Sequence, residues 1–242
     1  MPQDPSTTRR AGHAVARLTI CLLLACLVLE AATIASGFSY RGALSRLAAG
    51  AALLPDEAAA TAARDRAILL LKLVAFTGAG IAWLLWLHRT YGNLALVGSK
   101  RSRFTRAWAL GYWFIPLVNL VRAYQVMKDL WLRSDSLNDR DAYDSLPAPA
   151  FLTGWWGMSV SWVVLGVLIT LMARDARTDF ERINATDLRM LVSAVGVIAG
   201  VLAIKVVREI DRRQRLLVAS PAHQSGAAPQ RAPQAPAGRQ VY

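Results

Sequence analysis

The stretch "GYWFIPLVNLVRAYQVMKDLWLRSD", Gly111 to Asp135, decides how this chain is folded. It opens uncharged and aromatic, meets Pro116, and then takes up arginine, lysine and aspartate at helical spacing. If it crosses a bilayer the chain has five spans; if it stays on one side there are four. The uncharged block between Arg106 and Arg122 is 15 residues long. That is about 22 Å of helix, whereas a bilayer core of ~30 Å needs about 20 residues. Trp108, Tyr112 and Trp113 in it are residue types that favour the membrane interface.

From Pro116, which suits the first turn of a helix, Leu117, Leu120, Tyr124, Met127 and Trp131 recur on one face. Asn119, Arg122, Gln125, Asp129 and Arg133 populate the other. The pattern predicts an amphipathic helix within residues 107–133, lying in the headgroup region or against the ends of the spans. The residues before it, Ala107 to Ile115, are expected to dip partway in, and the segment reads first as a structural cuff sealing the inner end of the bundle, with a re-entrant element lining a site, or a short true span, as the alternatives. Neighbouring helices must cover such a dip, because bare lipid cannot satisfy its backbone groups.

Working outward, four other stretches are long and apolar enough to span: 18–40, broken only by Glu30; 67–87, broken only by Lys72; 151–173, without charge; and 188–207, with Arg189 and Lys205 near its ends. With four spans, 19 of the 28 Lys and Arg fall on the side of both termini and residues 88–150, and eight on the other. Five spans would send the basic carboxyl tail outward, against the positive-inside tendency. The expected fold is therefore an all-α membrane protein with four transmembrane helices, both termini cytoplasmic, and one cytoplasmic interfacial or re-entrant amphipathic helix. The helical domain is expected over 14–216. The tails, 1–13 and the Pro/Ala-rich 217–242, cannot bury a core and are expected to be disordered. The first apolar run exceeds the 7–15 residues of a typical signal-peptide core, so it reads as a retained span.

Composition agrees. The 242 residues are 55% hydrophobic and only 18% charged, below the ~25% usual for soluble domains. The net charge of +12 sits beside apolar blocks rather than on a base-stacking face, which argues against nucleic acid. Arginine outnumbers lysine 24 to 4 and alanine is abundant, a bias of GC-rich bacterial genomes, so the expected home is a bacterial plasma membrane. Cys21 and Cys26 lie inside the first span and read as small hydrophobes. His13, His88 and His223 are scattered, and no phosphate-binding glycine loop, nucleophile elbow or zinc motif is present. No cofactor, metal or catalytic residue is predicted. Asp139, Asp141 and Asp144 lack the glycine and closing glutamate of a calcium loop and read as a solvated linker.

Trp86, Arg89, Tyr91, Asn93 and Leu94 in "WLHRTYGNLALVG", then a basic spacer, then Trp113, Phe114, Pro116, Asn119 and "YQVMKDLW", form a distinctive combination. Over roughly Leu69 to Val207 the chain resembles the domain of unknown function 4328 family of bacterial multi-span membrane proteins. It departs from that pattern at Ala123, where the family often has proline. The resemblance implies a multi-span membrane protein and brings no activity.

Glu30 and Lys72 need a reason to be where they are, since an intramembrane charge costs about 2.5–3.5 kcal/mol on insertion scales. Counted from the outer ends of their spans they lie roughly 15 and 8 Å deep, within reach of each other on adjacent antiparallel helices. Either they pair, or each snorkels outward alone. Lys100, Arg101, Arg103 and Arg106 are candidate contacts for anionic headgroups, which attract such residues by ~1 kcal/mol each. Asn93 and Asn119 can either satisfy backbone groups at the dip or bind a ligand. Gly196 and Gly200, and the small patch Thr77 to Gly80, permit close helix packing, expected within one chain. Two functions follow: a non-enzymatic membrane component that meets lipid or an unidentified membrane protein through its basic cytoplasmic face, or a small transporter or channel using Glu30 and Lys72.

Overall fold

The computed structural model describes residues 5–50, 55–96, 104–134, 147–175 and 177–219. Six α-helices follow in chain order: α1 (Pro5–Ala48), α2 (Pro55–Leu96), α3 (Arg106–Gly111), α4 (Pro116–Arg133), α5 (Ala150–Asp175) and α6 (Asp179–Ala219), with a 3₁₀ turn at Tyr112–Phe114 between α3 and α4. No strand occurs among the described residues. Four of the helices (α1, α2, α5, α6) are long and apolar enough to cross a membrane, and they contain the four expected spans. All four run on past those spans. α1 begins at Pro5 and α6 ends at Ala219, so helix enters stretches expected as tails. Residues 220–242 and the Asp139–Asp144 linker lie outside the described residues.

The helix ends follow their local sequence. α6 starts in a capping box: Thr178 Oγ1 accepts from the Glu181 amide at 3.2 Å, and the Glu181 carboxylate accepts from the amides of Thr178 at 2.9 Å and Arg177 at 2.7 Å. Thr105 caps α3 through the Trp108 amide. Ile115 is extended before Pro116, the first residue of α4. Gly50, at φ 85°, supplies the left-handed residue after α1.

α1 packs against both α2 and α6, and α6 against α5, so the long helices stand in the order α2, α1, α6, α5. Small residues set the spacing. A side chain at Gly196 would collide with Trp162 of α5, and one at Gly200 with Leu27 of α1. The Gly-x-x-x-Gly pair is thus consumed inside one chain. Outward, α2 and α5 expose Leu70, Val74, Val164 and Leu168 among many other large apolar residues, a continuous apolar surface beyond what water tolerates.

The main core is not midway along the bundle but at one end. Ala16 of α1, Trp83, Trp86, Leu87 and Tyr91 of α2, Leu152 and Trp155 of α5, and Val206, Val207 and Ile210 of α6 all converge on Val126, Met127 and Leu130 of α4. The start of α1 and the end of α6 therefore lie at the same end as the α3–α4 hairpin, as four spans require.

α4 buries a different face from the one its periodicity suggests. Leu117 is 81% exposed, and Leu120 and Val121 are exposed too, while Ala123, Val126, Met127 and Leu130 are fully buried. Asp129, expected on the polar outer face, is buried as well. Ala123 is consistent with that facing: a side chain so small lets the backbone of α4 lie close to its neighbours where it is buried. Met127 and Trp131 remain inside as expected.

Candidate functional site

The hairpin end is held by motif residues, Trp86 and Trp113, together with tryptophans outside the motif. Trp83 of α2 stacks with Trp155 of α5 at 5.3 Å between centroids and meets Trp86 at 5.1 Å. Trp113, in the 3₁₀ turn, reaches Trp83 at 5.9 Å and Trp156 at 6.0 Å. Trp83 and Trp156 are only about one helical turn inside the expected spans, so the turn sits near the end of the bundle. Trp156 Nε1 ties it down by donating to the Leu120 carbonyl at 2.9 Å. Around the tip Phe114, Ile115 and Leu117 are exposed. Edge-to-face and stacked aromatic pairs of this kind contribute about 0.5–1.5 kcal/mol each beyond the area they bury.

A polar network lies under the aromatic layer. The Tyr91 hydroxyl is 3.0 Å from the Val126 carbonyl and 3.2 Å from Asp129 Oδ2, and Arg133 Nε donates to Asp129 Oδ1 at 2.6 Å. Gln214 of α6 donates to the Thr90 carbonyl at 3.1 Å and to Ser134 Oγ at 3.4 Å, and accepts from Asn93 Nδ2 at 3.3 Å. The Arg213 guanidinium lies 3.8 Å over the Trp131 ring. Asn119 Nδ2 donates to the Trp113 carbonyl at 3.4 Å, the backbone-satisfying role open to it from sequence. Trp86 is buried, Pro116 opens α4, and Arg89 is exposed at the surface. Tyr91, Asn93, Asp129 and Trp131 of the motif, with Gln214 and Arg213 of α6, are thus the joints by which α2 and α6 hold α4.

Of the candidate headgroup contacts, Lys100, Arg101 and Arg103 lie outside the described residues. Arg106 is exposed, with its guanidinium so close over Gly92 that any side chain there would collide with it. Gly92 is therefore needed for approach rather than for backbone conformation.

At the opposite end the helices splay. Lys72 Nζ is 2.8 Å from Glu30 Oε2 and 3.3 Å from Thr33 Oγ1. Glu30 is 2% exposed, and its second oxygen, Oε1, has no hydrogen-bond partner among the described residues. Ser36 hydrogen-bonds to Asp65, and Arg64 Nε donates to Ser36 Oγ at 3.0 Å. These groups lie along a cleft of about 1050 Å³ that runs between α2 and α5, with α1 and α6 as its floor. Phe76 of α2 and Trp162 of α5, stacked at 5.0 Å, line it and link its two sides.

Sequence reasoning missed Asp129 and Gln214. Asp129 is the only acidic residue between Asp65 and Asp135, a usable signal; Gln214 stands among arginines beyond its span and offered none.

A four-helix bundle of membrane-spanning character, closed at one end by a short re-entrant hairpin, is the class that this architecture defines. The chain belongs to the family described as Domain of unknown function (DUF4328), whose model matches residues 49–212, wider at both ends than the motif-bearing stretch. No curated protein and no solved structure matches it.

Proposed function

We propose that the protein is a non-catalytic component of a bacterial plasma membrane, with both termini cytoplasmic, whose hairpin end engages anionic lipid headgroups. A membrane protein partner can share the same face. One observation carries this reading: the hairpin is anchored in the core by Met127, Leu130 and Trp131, yet presents the apolar tip Phe114 to Leu117, with an exposed arginine on each arm, Arg106 on α3 and Arg122 on α4. Apolar side chains flanked by cations are the chemistry that recognises an anionic membrane surface. The aromatic and aliphatic packing of Trp83, Trp86, Trp155 and Leu130 fills the space a transport route would need at that end, which favours this reading over a channel.

The test uses the full chain in nanodiscs of phosphatidylcholine with phosphatidylglycerol, and native mass spectrometry of the retained lipid. Phosphatidylglycerol should be enriched, and each of Arg106→Gln and Arg122→Gln should lower the enrichment by about fivefold, the factor for ~1 kcal/mol per basic residue. Equal retention of both lipids by the unaltered protein would remove the proposal.

A further inference from the structure

The cleft at the open end has a chemistry of its own. Its floor carries a buried polar stripe, Glu30, Ser36, Thr186 and Ser193, set among the apolar Ile169 and Val192. Its lips are wholly apolar: Leu69 and Leu73 on α2 and Val163 and Val167 on α5 are all exposed. A groove with polar groups confined to a stripe on its floor, opening sideways from a membrane-spanning bundle, admits the polar part of a molecule whose apolar part stays in lipid. An acyl chain lying on this floor would instead enclose the unpaired Glu30 oxygen in hydrocarbon, which is unfavourable.

Charge narrows the occupant. Glu30 is paired directly with Lys72, and Asp65, Arg66, Arg174 and Arg189 also line the cleft, so its lining carries four cations and two carboxylates. A plain cation would meet that positive excess, and a plain anion would leave Glu30 Oε1 without a donor. A headgroup that carries both signs matches both. The carboxylate has a loosely restricted terminal torsion, so Oε1 can turn into the cleft and accept a hydrogen bond without disturbing α1.

We propose that this cleft binds the headgroup of an amine-bearing zwitterionic phospholipid from the leaflet opposite the hairpin. Glu30 Oε1 accepts from the lipid ammonium, Lys72 and Arg66 face its phosphate, and the acyl chains remain in the bilayer between the lips. This site is separate from the hairpin face and does not depend on it.

Nanodiscs holding equal parts of phosphatidylethanolamine and phosphatidylcholine test the proposal, because the choline ammonium has no N–H to donate. Native mass spectrometry of the full chain should show phosphatidylethanolamine retained about tenfold over phosphatidylcholine, the range of one charge-assisted hydrogen bond. Glu30→Gln should bring that ratio to near one. Gly166→Leu is the second arm: Gly166 lines the cleft, and its nearest neighbour atom for an added side chain is Val192 Cγ1 at 3.8 Å. It should block the cleft and abolish the preference while leaving Glu30 and Lys72 in place. Arg106→Gln, at the other end, should leave the preference intact. Equal retention by the unaltered protein, or a preference that survives both Glu30→Gln and Gly166→Leu, would each overturn it.

Discussion

At the hairpin end, indole rings and the buried face of α4 form the main packed core between the long helices. At the far end the same helices leave a cleft with an ion pair on its floor. The difference is one of side-chain supply. The hairpin end draws large residues from four helices, Trp83, Trp86, Trp155, Met127 and Ile210 among them, and joins its charged groups in the Tyr91–Asp129–Arg133 network, leaving only neutral groups, Trp83 Nε1, Trp113 Nε1 and Asn119 Oδ1, without partners among the described residues. The open end has no fifth element to insert, and there Glu30 keeps one oxygen without a partner among the described residues. A bundle built this way is rigid where it is capped and receptive where it is not.

If that contrast holds, the largest loss should come from Asp129→Ala, which removes the carboxylate shared by Tyr91 and the buried Arg133. About 3–5 kcal/mol is expected from breaking a buried pair, read as a large fall in the thermal unfolding midpoint in detergent. A midpoint within a degree or two of the unaltered protein would show that the network is not a joint. Leu130→Ala should follow closely, at about 2–5 kcal/mol for a fully buried leucine.

The open end should respond less and in a coupled way. Lys72→Met leaves Glu30 without its cation, so it should destabilise more than the Glu30→Gln, Lys72→Met double variant does. A coupling of about 0.5–3 kcal/mol is expected between residues in direct contact, and strict additivity in that cycle would mean the two side chains act independently. Smallest of all should be Leu117→Ala, which removes side-chain atoms exposed at the hairpin tip; its effect on stability should stay within about 0.5 kcal/mol.

The spans were legible because length, hydropathy and the placement of 28 basic residues all bear on one physical question, what the bilayer will accept. The hairpin was legible from a proline inside a block too short to cross. The facing of α4 was not. Periodicity separates apolar from polar sides but does not say whether the apolar side meets protein or lipid. Here Leu117 and Leu120 point outward while Ala123 and Asp129 face in. The juxtaposition of Glu30 and Lys72 could be estimated from helix rise, whereas the cleft around them could not, since it arises from the spacing of α2 and α5 across α1 and α6. Gln214 illustrates the remaining gap: its partners Thr90 and Ser134 come from two other helices and leave no trace in its own neighbourhood.

The central claim is that the α3–α4 hairpin enters and leaves the bundle at one end. With Cys21 and Cys26 replaced, single cysteines at Pro147, Leu216 and Ala59 can be treated with a membrane-impermeant maleimide in intact cells and after lysis. Positions 147 and 216 should behave alike, protected until lysis, while position 59 labels in intact cells. Labelling of position 147 together with position 59 and apart from position 216 would mean the hairpin crosses the membrane, and the four-span account would be wrong.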